Sequence, residues 1–361
     1  MRLMVIRSHK KSLVFRLALV HILVLFIFCL FAEWICDDPS DYHIGPIIHY
    51  SYENLDLSNK FMKPNISSPF SGSHIFGTDY LGRDVFAGII YGTRNTFLMS
   101  FIGIIIATVF GVFFGMVTGY YGDNGLKLSI ASLIVGSVIL IFIVHLLTTM
   151  FRYPSYYIFN AWQFIFMTGG IIGILTLIFF ILKKVPSTRK VVAIPLDLVL
   201  NRFLDIYVSI PQIFIVLLLV VILPPSPFLF VVYISIGFWS EFALLTRAEM
   251  LKIRNQNYIL AQKALGLRSF KILVTHALPN ALTPIYVLFV FAFAKAMILE
   301  ATLSFIGIGL SAETASWGKL AAAYRMDYTA WWLAVFPGII IFLTVNSLHI
   351  IGRRFERADA Y

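Results

Sequence analysis

Long runs of apolar residues dominate this sequence and restrict what it can fold into. An α-helix needs about 20 mostly apolar residues to cross the hydrocarbon core of a bilayer. Eight segments are long and apolar enough: 13–33, 96–119, 128–149, 164–182, 203–223, 228–246, 284–306 and 331–351. Only 13% of the residues are charged, whereas soluble domains carry roughly a quarter. The sequence therefore predicts an all-α, polytopic membrane bundle of about 8 transmembrane helices, with Asp205 and Pro211 interrupting the fifth.

The positions of the positive charges predict the orientation of this bundle. The formal net charge is +10, but lysines and arginines stand in short runs beside the apolar segments, unlike the basic face of a nucleic-acid-binding protein. With the N-terminus in the cytoplasm, the loops rich in these residues all fall on the cytoplasmic side, as the positive-inside rule requires. Both termini are therefore predicted to be cytoplasmic, the C-terminal tail being 353–361. The basic N-terminus lacks an A-x-A cleavage pattern, so 1–33 is predicted to hold an uncleaved first helix.

Two loops are large enough to carry a function. The outer loop, 34–95, is predicted to end in an amphipathic helix capped by Thr78, in which Asp79 and Arg83 lie four residues apart. The inner loop, 247–283, is predicted to contain a helix over 248–265 with one apolar stripe. Leu251, Tyr258, Ala261 and Leu265 form that stripe. Gly266 allows a turn into a second short helix, which Leu278-Pro279-Asn280 is predicted to end.

Several motifs in and around these loops resemble one known family. The inner loop contains Tyr258-Ile259-Leu260-Ala261-Gln262-Lys263-Ala264-Leu265-Gly266 and then His276-Ala277-Leu278-Pro279-Asn280. The outer loop contains Gly77-Thr78-Asp79-Tyr80-Leu81-Gly82-Arg83-Asp84. Further matches are Glu300 to Leu310, Ser316-Trp317-Gly318 and Phe336-Pro337-Gly338. In this order they resemble the permeases of binding-protein-dependent ABC importers, specifically the C-type subunit of the dipeptide, oligopeptide and nickel group.

The resemblance implies a type I permease fold in a bacterial inner membrane. It implies that two permease chains form a channel, two ATPase subunits bind underneath, and an extracytoplasmic solute-binding protein delivers the substrate. ATP and Mg²⁺ would be bound by the ATPase subunits and no cofactor by this chain, which lacks the G-x-x-x-x-G-K-[ST] loop and is not predicted to be an enzyme. Residues 96–352 would form the permease domain, and 247–283 would contain the coupling helix that docks on the ATPase.

Two departures from the family pattern stand out. The usual Glu and the second Ala of the coupling motif are Leu260 and Gln262 here, which suggests a different and more apolar ATPase surface. In addition, a hairpin of two extra apolar segments, at about 123–192, follows the second span. Two spans preserve the topology of everything after them, and this hairpin is expected on the lipid-facing periphery.

Charges inside the predicted spans form another class of candidate. Lys295 and Glu300 lie in the seventh span, where ionisable groups are costly and normally face a cavity or a partner. Five residues separate them, about 140° around a helix, so a pair between the two is awkward. They either line the translocation path or subunit seam, or are an internal pair or a snorkelling lysine. His21 and His145 have no partner at ligand spacing and are interpreted as packing or hydrogen-bonding residues.

Alternative functions fit the sequence less well. A membrane-embedded enzyme needs His, Asp or Glu clustered at one depth, and a secondary transporter usually shows inverted repeats; neither pattern is apparent. Cys29 and Cys36 are seven residues apart and predict neither a zinc site nor a disulfide framework. For an importer subunit, short peptides are the leading substrate and nickel chelates the alternative.

Overall fold

The computed structural model describes residues 2–36, 55–65, 74–123, 127–152, 161–185, 190–193, 195–222, 226–308 and 314–359. Twelve α-helices lie within these ranges: α1 Arg2–Ile35, α2 Val85–Tyr121, α3 Ile130–Arg152, α4 Ala161–Lys184, α5 Leu196–Ser209, α6 Gln212–Ile222, α7 Pro227–Ile253, α8 Asn257–Ala264, α9 Ser269–Ile272, α10 Leu278–Ile306, α11 Trp317–Ala323 and α12 Trp332–Asp359. A short antiparallel ribbon pairs β1, Lys127–Ser129, with β2, Val191–Ala193. The predicted all-α class is confirmed.

The helices form two compact units. One comprises 1–119 and 203–361, and the other comprises 120–202. In the second unit α3 packs against α4, and the β1–β2 ribbon closes the base of that hairpin. The hairpin predicted at 123–192 falls within this unit, although only part of it lies among the described residues.

Five helical segments in the described residues are long and apolar enough to cross a bilayer: Leu13–Ala32, Val85–Tyr121, Pro227–Ile253, Ser269–Ile306 and Trp332–Glu356. The predicted fifth span is not one straight helix, because α5 and α6 meet at an angle of 82°. Pro211 lies at this break, where its ring and missing N–H prevent a continuous helix. In the second unit, the described apolar parts of α3 and α4 are shorter, Ile130–Ile139 and Gly173–Leu182. The count of about 8 spans and the sides of the termini stay predictions.

Small residues let α2 lie close to α7. A side-chain carbon added at Gly111 would come within 2.5 Å of the Trp239 carbonyl oxygen, and one at Gly115 within 2.4 Å of the Ala243 carbonyl oxygen. Inside a bilayer, helix association depends on such close packing because lipid tails are as apolar as the side chains. The glycines therefore allow backbone contact along this pair of helices.

Other helices pack around α10. It contacts α7, α11 and α12, and α1 lies along α12. His21 Nε2 on α1 is 3.3 Å from Thr344 Oγ1 on α12, an interhelical contact of the kind expected for this histidine. The side chain of His145 lies outside the described residues.

Candidate functional site

The inner loop is built from two short helices between α7 and α10. α7 ends at Ile253, three residues form a turn, and α8 then runs from Asn257 to Ala264. Gly266 adopts φ +78°, a left-handed conformation that an L side chain rarely adopts, and so ends α8 with a sharp turn. The predicted helix over 248–265 is therefore wrong as a single element, because its first third continues the preceding span.

The apolar stripe predicted for this helix does not form its packed side. Tyr258 is 41% exposed and Leu265 is 80% exposed, whereas Ile259 is fully buried. Ala261, Lys263 and Ala264 are also exposed. The stripe was predicted for one continuous helix, and the turn after Ile253 changes which residues of the following helix lie on the same side as those of the preceding one. One residue thus anchors α8, and most of its remaining surface faces outward.

The end of the loop merges into the next span instead of stopping before it. α9 leads into a π-helical turn, Leu273–Ala277, which leads directly into α10. Pro279 lies in the first turn of α10, where a missing N–H costs nothing, so the prediction that it ends the preceding helix is wrong. Asn280 Nδ2 donates to the His276 carbonyl oxygen at 2.7 Å and to Tyr258 Oη at 3.0 Å. This side chain therefore ties α8 to the base of α10.

The helices that flank the loop are longer than a bilayer core requires. At about 1.5 Å per residue, the 27 residues of α7 measure about 40 Å, and the 38 residues from Ser269 to Ile306 measure about 57 Å. The hydrocarbon core is only about 30 Å thick. With the outer ends of both helices at the outer edge of the core, Ile253 lies about 10 Å beyond its inner edge and Ser269 about 27 Å beyond it.

An ion pair joins α7 and α10 near the middle of their length. Lys295 Nζ lies 3.2 Å and 3.0 Å from the two carboxylate oxygens of Glu241. Counted from Pro227 and Ile306, the two residues lie about 21 Å and 17 Å below the outer ends of their helices. The Lys295 side chain remains 54% exposed and that of Glu241 34% exposed. Sequence reasoning missed Glu241, although an acidic residue inside an apolar segment was a readable signal.

Glu300 occupies a different environment from Lys295. Its carboxylate is fully buried and accepts hydrogen bonds from Thr96 Oγ1 and Ser304 Oγ, both at 2.7 Å. These bonds join α2 to α10 inside the chain. The structure therefore separates the two residues that the sequence placed together: Glu300 fastens two helices, and Lys295 is on the surface.

The outer motif forms a tight loop and not a helix. The Asp84 carboxylate caps α2 by accepting from the Ala87 N–H at 2.7 Å, and it lies 2.9 Å from Nδ1 of the buried His74. Thr78 bonds instead to the chain before the motif, accepting from the Met62 N–H at 2.8 Å and donating to the Asn59 carbonyl oxygen. The predicted Thr78 cap is therefore wrong, because tertiary contacts engage the threonine, and the helix predicted at the end of the outer loop begins only at Val85, as the first turns of α2.

The acidic and glycine residues of this motif stabilise its turn. Asp79 accepts from the N–H groups of Leu81 and Arg83 at 2.8 Å and 2.9 Å, although burial raises the pKa of its carboxyl group. Gly77 and Gly82 both have positive φ. A side-chain carbon at Gly82 would lie 1.7 Å from the Asp56 carbonyl oxygen, so only glycine fits there.

Two tryptophans connect this outer loop to the C-terminal half of the chain. Trp332 Nε1 donates to the Thr78 carbonyl oxygen, and Trp317 Nε1 donates to the Ile89 carbonyl oxygen, both at 3.1 Å. Both rings are buried. Two motifs separated by more than 200 residues thus form one packed unit.

An open groove of about 390 Å³ lies between α2 and α7. Its lining is Ile106, Phe110, Phe114, Val232, Ser235, Ile236 and Trp239. The Ser235 hydroxyl already donates to carbonyl oxygens of Gly103 and Val231. These lining residues offer an apolar surface suited to lipid and not to a polar solute. Across the described ranges, no group of three His, Cys, Asp or Glu residues is placed to hold a metal ion.

Comparison with known proteins places these features in context. Residues 193–358 match the family model described as binding-protein-dependent transport system inner membrane component. The chain is 27% identical to a dipeptide transport system permease protein of Alkalihalophilus pseudofirmus, over 84% of this chain and 74% of the relative. It is 24% identical to an oligopeptide transport system permease protein of Bacillus subtilis, with the same coverage. A di/tripeptide transport system permease protein of Pseudomonas aeruginosa is 23% identical over 91% and 82% of the two chains.

Proposed function

We propose that this chain, which matches the model of binding-protein-dependent inner-membrane transport components over residues 193–358, supplies half of the channel through which an ATP-driven importer moves short peptides. A second permease chain completes the channel, two ATPase subunits bind its cytoplasmic side, and a solute-binding protein delivers the peptide. Three relatives with peptide transport in their names favour peptides over the nickel chelates kept as the alternative.

The observation that carries this proposal is the inner loop, which is flanked by α7 and by the helical segment Ser269–Ile306, both longer than a bilayer core requires. α8 is held to the base of α10 by the Tyr258–Asn280 hydrogen bond, and α10 continues from the loop through the whole span. A force applied to α8 by closing ATPase subunits is therefore transmitted to the span without an intervening flexible linker. Tyr258, Ala261, Lys263, Ala264, Leu265, Gly266, His276, Pro279 and Asn280 form this coupling element.

The face of α7 and α10 that carries the Glu241–Lys295 pair lines the translocation path. Charged groups near mid-membrane are rarely exposed to lipid because leaving water costs several kcal/mol. Here about half of the lysine side chain is exposed in this chain. Water in a path shared with the second permease chain satisfies these groups best. Glu300 serves instead as an internal fastening between α2 and α10 near the path.

The outer motif acts as a rigid platform on the side where the binding protein arrives. Gly77, Thr78, Asp79, Gly82, Arg83 and Asp84 shape its loop, and Trp332 and Trp317 lock it to the C-terminal half of the chain. A platform of this kind keeps the outer ends of α2 and α12 together while the inner ends move.

Purification of the assembled importer tests the proposal. A tag on this chain should retain a second permease and two copies of an ATPase with a G-x-x-x-x-G-K-[ST] loop, and reconstituted vesicles should take up peptides only with ATP. Deleting residues 255–270 should remove the ATPases and keep the second permease. Phe355→Ala, an exposed position on the inner part of α12, is the control and should retain all partners. Retention of the ATPases by the deletion variant would refute the coupling role.

A further inference from the structure

The two groups of the Glu241–Lys295 pair can still bind other partners. Lys295 Nζ contacts both carboxylate oxygens of Glu241, at 3.2 Å and 3.0 Å. Across the described residues, neither group has a further hydrogen bond or ion pair. An ammonium group has three N–H donors and a carboxylate about four acceptor sites. Because the two side chains are 54% and 34% exposed, each keeps bonding capacity on its exposed side.

The pair lies on a continuous exposed stripe of α10. Lys295, Ile298, Thr302 and Phe305 are all exposed, and their spacing of three, four and three residues keeps them on one side of the helix. At the C-terminal end of the stripe, the guanidinium carbon of Arg325 lies 4.2 Å from the centre of the Phe305 ring. The stripe therefore offers polar and apolar groups in turn, which suits a peptide better than a lipid chain.

A solute that carries two opposite charges can replace the internal pair without leaving any charge unpaired. Ionised groups removed from water are tolerated only when they are paired. An ammonium group of the solute would bond to Glu241 and a carboxylate to Lys295, so one ion pair becomes two and the net charge stays zero. A solute with only one charge breaks the pair and leaves one side chain without a counterion, which is strongly unfavourable. The pair therefore favours a zwitterion.

The separation of the two helices limits the length of this zwitterion. α7 and α10 are in contact, and the axes of packed helices lie about 8–10 Å apart. The two long side chains leave neighbouring helices, so changes of rotamer can open the pair to about this distance. An extended peptide spans about 7 Å with two residues, about 10 Å with three and about 17 Å with five. Di- and tripeptides therefore fit between the two groups, and extended longer peptides do not.

We propose that Glu241 and Lys295 form a recognition site for the two ends of di- and tripeptides, in which Glu241 binds the α-ammonium group and Lys295 binds the α-carboxylate. This inference rests on the proposed function, which places the pair in the translocation path, and it adds the peptide length and the chemical groups that the path recognises. Without a peptide, the two side chains neutralise each other, so the empty path contains no unpaired charge at this depth. The peptide opens the pair when it binds.

Equilibrium dialysis of radiolabelled peptides against the purified importer in lipid nanodiscs, without the binding protein, tests this site. Alanyl-alanine should bind saturably, and its N-acetyl and C-amide forms should each bind at least ten-fold more weakly. Penta-alanine should also bind at least ten-fold more weakly than alanyl-alanine, because its ends are too far apart. Absence of saturable alanyl-alanine binding, or equal binding of its free and blocked forms, would overturn the inference. Equal binding of penta-alanine would overturn the limit on length.

Two variants test the assignment of one peptide end to each side chain. Glu241→Gln should bind the N-acetyl form at least as tightly as alanyl-alanine and should still bind the amide more weakly. Lys295→Met should show the opposite pattern. Glu241→Asp, which keeps the charge, should keep the preference for a free amino group. A loss of affinity that is equal for all peptides would show a structural role and overturn the assignment. Glu249→Gln, which alters an ion pair near the inner end of α7, is the control and should keep the wild-type ratios.

ATP-driven uptake by the same importer in vesicles separates the inference from the function on which it rests. If the wild type takes up peptides with ATP but binds free and blocked peptides equally in dialysis, the importer stands and the recognition site is refuted. If the chain assembles with no ATPase and no peptide is taken up, the proposed function fails, and the recognition site fails with it.

Discussion

Neutralising Glu241 and Lys295 tests whether the helix face that carries this ion pair is in contact with water. The closest distance between the two groups is 3.0 Å. At this separation two unit charges attract by about 1.4 kcal/mol in water and by about 5.5 kcal/mol at an effective dielectric constant near 20. In double-mutant cycles, exposed pairs contribute about 0.2–1 kcal/mol. Removing one partner of a buried pair costs about 3–5 kcal/mol. The two environments therefore predict different results.

The assay compares Glu241→Gln, Lys295→Met and the double variant in the purified importer. In a water-lined path, each single variant should change the assembly of the two permease chains by less than about five-fold, since 1.4 kcal/mol corresponds to ten-fold. The coupling energy of the cycle should stay within about 1 kcal/mol. Peptide uptake at unchanged expression should fall in both single variants, because each leaves one unpaired charge in the path.

Two results would refute this reasoning. Undiminished uptake by Lys295→Met across several peptides would exclude a role in the path. A loss of assembly above about 100-fold in the single variants, restored in the double variant, would show a dry seam instead. Glu249→Gln is the matched control, because Glu249 pairs with Lys252 at 3.8 Å on the same helix near its inner end.

Three further predictions concern other parts of the chain. Gly115→Ala should lower the melting temperature of the importer in detergent by several degrees, because the added carbon would lie 2.4 Å from the Ala243 carbonyl oxygen. Gly136→Ala is the control: open space surrounds this glycine, so the melting temperature should stay the same or rise slightly. A variant that lacks residues 128–192 and joins Lys127 to Ala193 by a two-residue linker should preserve assembly and uptake, because these two residues are paired across the β1–β2 ribbon. Loss of both assembly and uptake would contradict a peripheral position of the hairpin. Burial lowers the pKa of Lys319 to about 8 from its ordinary 10.5. The unfolded chain therefore holds more protons between pH 8 and 10.5, and thermal stability relative to Lys319→Met should rise over this range and stay level between pH 6 and 7.

The spans could be predicted because they depend on local composition. An apolar run of sufficient length is a helix in lipid wherever the rest of the chain lies. For the same reason the break between α5 and α6 was signalled by Pro211, although the angle of 82° was not. Close contact between α2 and α7 also had a signal, since Gly111, Gly115 and Gly119 recur every four residues and share one helix face.

The parts that sequence reasoning missed depend on contacts between distant residues. Thr78 and Asp84 are both suitable helix caps, and the choice between them depends on Asn59, Met62 and His74. Glu241 and Lys295 are 54 residues apart, so no local spacing pairs them. Gly266 was placed correctly because its turn is local, whereas the packed residue of α8, Ile259, depends on how the loop folds back.

The projection of the inner loop has a consequence for how the chain is made and kept in a cell. In the predicted orientation, a newly inserted copy presents Leu265 and Phe270 to the cytosol until an ATPase binds, and chaperones and proteases act on chains that expose such groups. The steady-state amount of this chain should therefore follow that of its ATPase: overproduced alone it should be degraded, and Leu265→Ser should lengthen its lifetime while preventing its assembly.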